Sequence, residues 1–277
     1  MTPNTRPSLL GIILGFVLIC AGFVGGLAGA AMILRHVGRG FSLEQLSLLT
    51  IAGPFVAALA VALIVMAVQG RPLRAVIGPL DVKNYLLGTL AAIALGFVGI
   101  ALAHLFSSPI VHHDIPGWLA LIPIAIPVIF IQTLTEELVF RGWLQSSLIA
   151  RFGKQWVGLV IPSLIFGLAH YQGTPAFGLS YVGLTFLMGM IAGIITLRTG
   201  SIWAASGVHF GNNIYALLLL GLDNPMGRFQ YWTLPVNVDD YASVGPWFGA
   251  EAIVILAAFA LWLTRAPEQP PRALTKA

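Results

Sequence analysis

Charge is what this sequence has least of. Of its 277 residues only 9% are Asp, Glu, Lys or Arg, against about 25% in an ordinary soluble domain, while 58% are hydrophobic. Fourteen basic and ten acidic side chains cannot cover a soluble globule of this size, so the missing polar surface must face lipid. The same arithmetic excludes intrinsic disorder. Net charge is +4, but the basic residues lie scattered between apolar runs and form no patch that could track phosphates, which excludes a nucleic-acid partner. Cysteine is nearly absent as well. Cys20, the single one, excludes an intrachain disulfide and a cysteine-based metal site.

What is abundant is long apolar sequence. Spanning helices need about 20 mostly apolar residues, and runs of that order separate at charges and Pro/Gly clusters. They cover residues 9–34, 47–68, 84–106, 117–150, 155–172, 177–197, 202–221 and 246–264. The expected fold is therefore all-α, a polytopic membrane helix bundle with about eight transmembrane helices, forming one integral membrane domain over 1–277. The first run exceeds the roughly 7–15 residues of a signal-peptide core and reads as a retained helix, with cleavage near Ala28–Ala31 as the alternative. The polar tail 265–277, with Pro267, Pro270 and Pro271, reads as disordered. With the N-terminus inside, ten of the basic residues fall on the cytoplasmic side and three (Arg35, Arg39, Arg228) on the other. Both termini are then cytoplasmic, and the expected location is a bacterial inner (cytoplasmic) membrane. No internal repeat is visible, which weakens an inverted-repeat transporter reading.

Ionisable groups inside spans cost about 2.5–3.5 kcal/mol each on insertion scales, so each needs a reason. Most of those present cluster: Glu136, Glu137 and Arg141 in the fourth span, His170 in the fifth, His209 with Asn213 in the seventh. Glu137 and Arg141 stand four apart on one helix face and can pair. Glu136 is rotated about 100° away and has no such partner, which suits a general base whose affinity for protons is raised by desolvation and a like-charged neighbour. Glu136 lies 15 residues before Arg151 and His170 lies 14 after Trp156, so antiparallel helices bring the two level, about 21–23 Å from their shared turn. His209 and Asn213 share a face and offer donors for an oxyanion, or alternatively an interhelical polar clamp. Asn213 is only 11 residues beyond Ile202, so the seventh helix must start earlier or the loop before it must dip inward. His104 near the end of the third span and Glu251 near the start of the last are expected to reach an interface. The cluster His112-His113-Asp114 reads as an exposed loop.

Together these residues resemble the CPBP family of intramembrane endopeptidases, which includes type II CAAX prenyl endopeptidases and bacterial Abi-type proteins linked to bacteriocin processing or self-immunity. The family's Glu-Glu-x-x-x-Arg, Phe-x-x-x-His and His-x-x-x-Asn segments read here Glu136-Glu137-Leu138-Val139-Phe140-Arg141, Phe166 to His170, and His209 to Asn213, in the family's order. The resemblance covers roughly 117–221, the motif-bearing core. It implies a catalytic set of Glu136, His170, His209 and Asn213: Glu136 with His170 binding and activating a water, His209 and Asn213 forming the oxyanion site, and Glu137 with Arg141 supporting the arrangement. The implied reaction is peptide-bond hydrolysis on a peptide or protein substrate, among which membrane-anchored or lipidated ones are included. The family has been classed as metalloprotease but resembles a glutamate protease with no obligatory metal. No cofactor is expected; a divalent metal, if one binds, would sit on Glu136, His170 and His209, although the His-Glu-x-x-His zinc motif is absent.

Other classes remain open at the level of sequence. A serine protease built on Ser206 and His209 would leave both glutamates unexplained, and Ala205-Ser206-Gly207 more simply permits close helix packing. A proton-coupled transporter would also use intramembrane Glu and His, and a non-catalytic membrane immunity or partner-binding protein would need no convergence of the polar groups.

Overall fold

The computed structural model describes residues 6–111, 113–222 and 229–265. His112, Asp223, Arg228 and the tail 266–277, which entered the sequence reading, lie outside the described residues. Helix starts follow from side chains that satisfy the first free amides. Ser8 Oγ accepts the amide of Gly11 at 3.0 Å to open α1 (Leu9–Val37), and Ser42 with Gln45 forms a capping box before α2 (Leu43–Val68). A five-residue α3 (Leu73–Ile77) precedes α4 (Val82–Phe106), which Asp81 caps through the Asn84 amide. After β1 (Ile110–Val111), Asp114 accepts the Gly117 amide and Pro116 occupies the first turn of α5 (Ile115–Glu137).

From α5 the helix continues unbroken through a π-helical segment, Leu138–Gln145, into α6 (Ser146–Phe152), a run of 38 residues. Then come α7 (Gln155–Ala169), α8 (Pro175–Thr199), and α9 (Trp203–Ile214), which passes into a π-helical turn, Tyr215–Leu219. The chain closes with β2 (Leu220–Leu222), β3 (Trp232–Leu234) and α10 (Tyr241–Arg265). The strands make a small sheet, β3 lying between β1 (antiparallel) and β2 (parallel), with Ile110 opposite Thr233 and Gly221 opposite Thr233.

Six helices among the described residues are long and apolar enough to cross a membrane: α1, α2, α4, the α5–α6 run, α8 and α10. The chain is an integral multi-pass membrane protein with an all-α bundle. Two of the eight expected spans are shorter than the apolar runs suggested. α7 has 15 residues, about 22 Å of rise, because its run ends in a turn at His170–Gly173. α9 with its π turn ends at Leu219, because the apolar residues that follow pair as a strand instead. Helix periodicity cannot distinguish a buried strand of three apolar residues from the last turn of a span.

α9 is placed by close backbone packing against α4. A side chain at Gly207 would collide with the Tyr85 carbonyl, and one at Gly211 with that of Thr89, four residues and one helical turn further on. His209, two residues from each glycine, is thereby turned away from α4. The connection leading into α9 is buried: Ile202 is fully covered, its amide donates to Ile77 O at 3.0 Å, and Ser201 Oγ donates to Pro79 O at 3.1 Å. The loop before α9 therefore dips inward under the α3 segment, which lets a short helix carry His209 to mid-bundle depth. On the same side, Arg71 donates to the hydroxyls of Ser146 and Ser147 and to the carbonyl of Trp143, whose ring is fully buried, and so pins the π segment to the end of α2. Burial pulls the Arg71 guanidinium below its ordinary pKa.

Replacing Gly207 with Leu is expected to force α9 off α4 and to lower stability by about 1–3 kcal/mol, as overpacking does. Thermal unfolding in detergent checks this. Leu at Gly29, whose added carbon meets nothing within 4 Å, serves as the control and should leave the midpoint unchanged.

Candidate active site

Near the end of α5, Glu136 and Glu137 approach the point where the helix becomes a π-helix. Such segments widen the turn and recur at functional sites. Glu137 is fully buried, and its Oε1 accepts two hydrogen bonds, each of 2.8 Å: one from Arg141 Nη1, the other from His209 Nδ1 on α9. Arg141 is 3% exposed, and its guanidinium carbon lies 4.4 Å from the centre of the Phe166 ring on α7. A bare carboxylate at this depth would be costly; two donors, one cationic, compensate Oε1, while Oε2 is buried without a hydrogen-bond partner among the described residues.

Because a carboxylate oxygen only accepts, the bond to Glu137 assigns a proton to His209 Nδ1. The second ring nitrogen, Nε2, lies 3.3 Å from Glu136 Oε2. The distance is that of an ion pair, but the pair is not aligned as a hydrogen bond, and Glu136 Oε2 is a buried oxygen without a hydrogen-bond partner among the described residues. The ion-pair partner of Glu136 comes from another helix, which spacing within α5 could not reveal. His209 thus bridges the two glutamates, one through each nitrogen, with its ring 5.9 Å from that of Phe166.

His170 caps the C-terminus of α7. Its Nδ1 donates to Phe166 O at 2.7 Å, which leaves Nε2 as a free acceptor. Its ring packs on Phe166 at 4.4 Å and on Tyr181 of α8 at 5.8 Å. Phe166, with the Arg141 guanidinium, His170 and His209 all against its ring, is the common wall of the site. Asn213 lies one turn beyond His209 and makes no side-chain hydrogen bond among the described residues. Glu136, His170, His209 and Asn213 all line one cavity of about 1250 Å³. Direct contact joins Glu136 to His209. No such contact joins His170 or Asn213 to either glutamate. No three His, Cys, Asp or Glu side chains among the described residues converge as metal ligands would.

Among the polar residues that line this cavity, Gln132, Tyr181 and Glu251 were not assigned to the site from the sequence. Gln132, one turn before Glu136, lines it with a buried carbonyl oxygen that has no partner among the described residues. Tyr181 packs beside His170. Glu251, expected near an interface, lines the cavity ten residues into α10, which begins at Tyr241. Gln132 carries a legible signal, an amide four residues before Glu136 on the same face. Tyr181 has none, since it depends on how α8 packs against α7. His104 donates to Ile100 O at 2.9 Å and stacks edge-on against Trp232, a packing role.

A buried acid–imidazole–acid–guanidinium chain inside a multi-pass helical protein defines a membrane-embedded polar site on a lipid-soluble scaffold. Residues 117–215, which run from α5 to the π turn after α9 and include the helices that build the site, match the family model described as type II CAAX prenyl endopeptidase Rce1-like. Among curated proteins it is 27% identical over 209 residues to the uncharacterized protein YyaK of Bacillus subtilis (strain 168), a match spanning 64% of this chain and 67% of that one.

Removing one member of the buried pair should cost more than removing both. Arg141→Met leaves the Glu137 charge short of its cation, and a loss of about 3–5 kcal/mol is expected. Arg141→Met combined with Glu137→Gln should recover part of it, since Gln Oε1 still accepts from His209. Unfolding midpoints of the two singles and the double check this; additive losses would refute the pairing.

Proposed function

We propose that the chain is an intramembrane endopeptidase that hydrolyses a peptide bond with a water activated by Glu136 and His170, acting on peptide or protein segments delivered within the bilayer. The observation that carries the reading is His209, joined through its two nitrogens to Glu136 and Glu137 inside a cavity that also holds His170 and Asn213. An ion pair serving stability alone would need Glu137 and Arg141 and nothing else. The second glutamate, with a buried oxygen left unbonded, needs a further partner, and a water between Glu136 and the free Nε2 of His170 supplies one.

The reaction follows from these donors and acceptors. The water donates hydrogen bonds to Glu136 and to His170 Nε2, and its oxygen attacks the carbonyl carbon as Glu136 takes its proton. The carbonyl π electrons move onto oxygen, where the Asn213 amide and a protonated His209 Nε2 donate to the developing charge. Collapse of the tetrahedral species breaks the C–N bond, and the proton held by Glu136 passes to the departing amine. Glu137 holds the His209 ring in position and stabilises its charged form, and Arg141 holds Glu137. This sequence uses no metal and forms no acyl-enzyme. Substrates of the membrane-anchored or lipidated kind suit the mostly apolar cavity lining, and the match to a prenyl-endopeptidase family agrees with them. The loop bias of basic residues supports a bacterial cytoplasmic membrane with both termini inside.

Glu136→Gln should abolish cleavage, a loss of about 10²–10⁴-fold or more, in a protein that still folds. Asn213→Ala should lower kcat about 10²–10³-fold at unchanged thermal stability. Mass spectrometry of a membrane-anchored peptide library in proteoliposomes reads both, and wild-type cleavage by Glu136→Gln would overturn the assignment. Chelator treatment, followed by the same assay, should leave turnover intact. Loss of turnover restored by added divalent metal would replace the metal-free route.

A further inference from the structure

Glu251 lines the cavity, is not used by the proposed reaction, and pairs with no cation of the protein among the described residues. It stands 10 residues from the start of α10 and 14 from its end, about 15 and 21 Å, which sets it more than two helical turns inside a helix long and apolar enough to cross a membrane. An acidic side chain at that depth calls for a cation or a proton. Glu136 and Glu137 have theirs in His209 and Arg141; Glu251 has none.

Its surroundings are aromatic. Trp247 and Phe248 precede it by four and three residues on the same face of α10, and both line the cavity with it. Across the cavity, Tyr181 of α8 packs against Phe248 with ring centres 6.0 Å apart. Tyr215, in the π turn after α9, packs with Trp247 against the same core of Ile100, Ala103, Leu220 and Leu234. The phenols of Tyr181 and Tyr215 are both electrostatic neighbours of Glu251. Neither makes a side-chain hydrogen bond among the described residues. A carboxylate with two rings on its own helix face and two phenols lining the same cavity is a setting that suits an organic cation: the carboxylate supplies charge, and aromatic rings supply cation–π attraction where water is scarce.

We propose that Glu251, Trp247, Phe248, Tyr181 and Tyr215 form a cation-binding subsite that receives a basic side chain, lysine or arginine, of the peptide in the cavity. The choice of a peptide over a lipid headgroup follows from depth, since a headgroup ammonium remains at the interface. The identity of the occupant as substrate rests on the endopeptidase reading; the binding of a basic side chain does not. Tyr181 touches both this subsite and His170, so an occupant held here lies beside the proposed water site, and Glu251 is a specificity-determining residue for what is cut.

The test uses the full-length Glu136→Gln protein in non-ionic detergent, where no cleavage occurs. The probes are two 20-residue apolar peptides that differ only in a central lysine or norleucine. Intrinsic tryptophan fluorescence follows binding. The lysine peptide is expected to bind about tenfold or more tightly than its norleucine partner, and adding Glu251→Gln should erase that preference while leaving norleucine binding unchanged. Trp247→Leu, which keeps the charge, should reduce the preference partially. No preference in the Glu136→Gln protein, or an equal preference after Glu251→Gln, would overturn the subsite. Because the background is inert, these outcomes stand apart from whether the wild-type protein cleaves anything.

Discussion

Oxygen Oε1 of Glu137 accepts from Arg141 four residues along its own helix and from His209 on α9, and through these two bonds one buried carboxylate fixes two side chains. Its position depends on everything packed around it. Arg141 is held over Phe166 of α7, so the same charge that neutralises Glu137 also locates the wall against which His170 and His209 rest. The site is therefore a single electrostatic unit spread over three helices. Buried ion pairs add little net stability, because desolvation offsets attraction, but they discriminate strongly between correct and incorrect arrangements of the helices that carry them.

The scaffold contributes two devices. Backbone-close packing at Gly207 and Gly211 sets the rotation of α9 against α4, and a buried loop under α3 sets its depth. The π-helical segments that follow Glu137 and Ile214 alter the helical phase beside the polar residues, the first of them carrying Arg141 itself. Arg71, counted among the orienting cytoplasmic charges on sequence grounds, is also a structural clamp on the first of these segments. In a chain with so few charges, a single arginine serves both ends.

Features local along the chain were legible in the sequence. Apolar runs announced the helices, and a four-residue interval placed Glu137 beside Arg141, because i to i+4 proximity follows from helix geometry without any knowledge of the fold. Depth counting brought Glu136 and His170 to one level but could not say which imidazole meets Glu136. That neighbour is His209, since lateral position depends on helix rotation and tilt, which rise per residue does not encode. The place of Glu251 in the cavity was not legible for a related reason: it depends on how α10 packs against α8, which the spacing within α10 does not encode.

Composition by itself determined that lipid surrounds this chain, and the charges left inside the spans determined where chemistry should be sought, since each such charge is too costly to be kept without a partner or a task. Only the tertiary structure decided the partners. It gave Glu137 to Arg141 and His209 together, turned Glu136 toward the second nitrogen of the same imidazole, and faced Glu251 into the cavity among aromatic rings. Those outcomes rest on close packing between helices distant in sequence, where a glycine's missing carbon or one turn of π-helix rotates a side chain toward a neighbour or away from it.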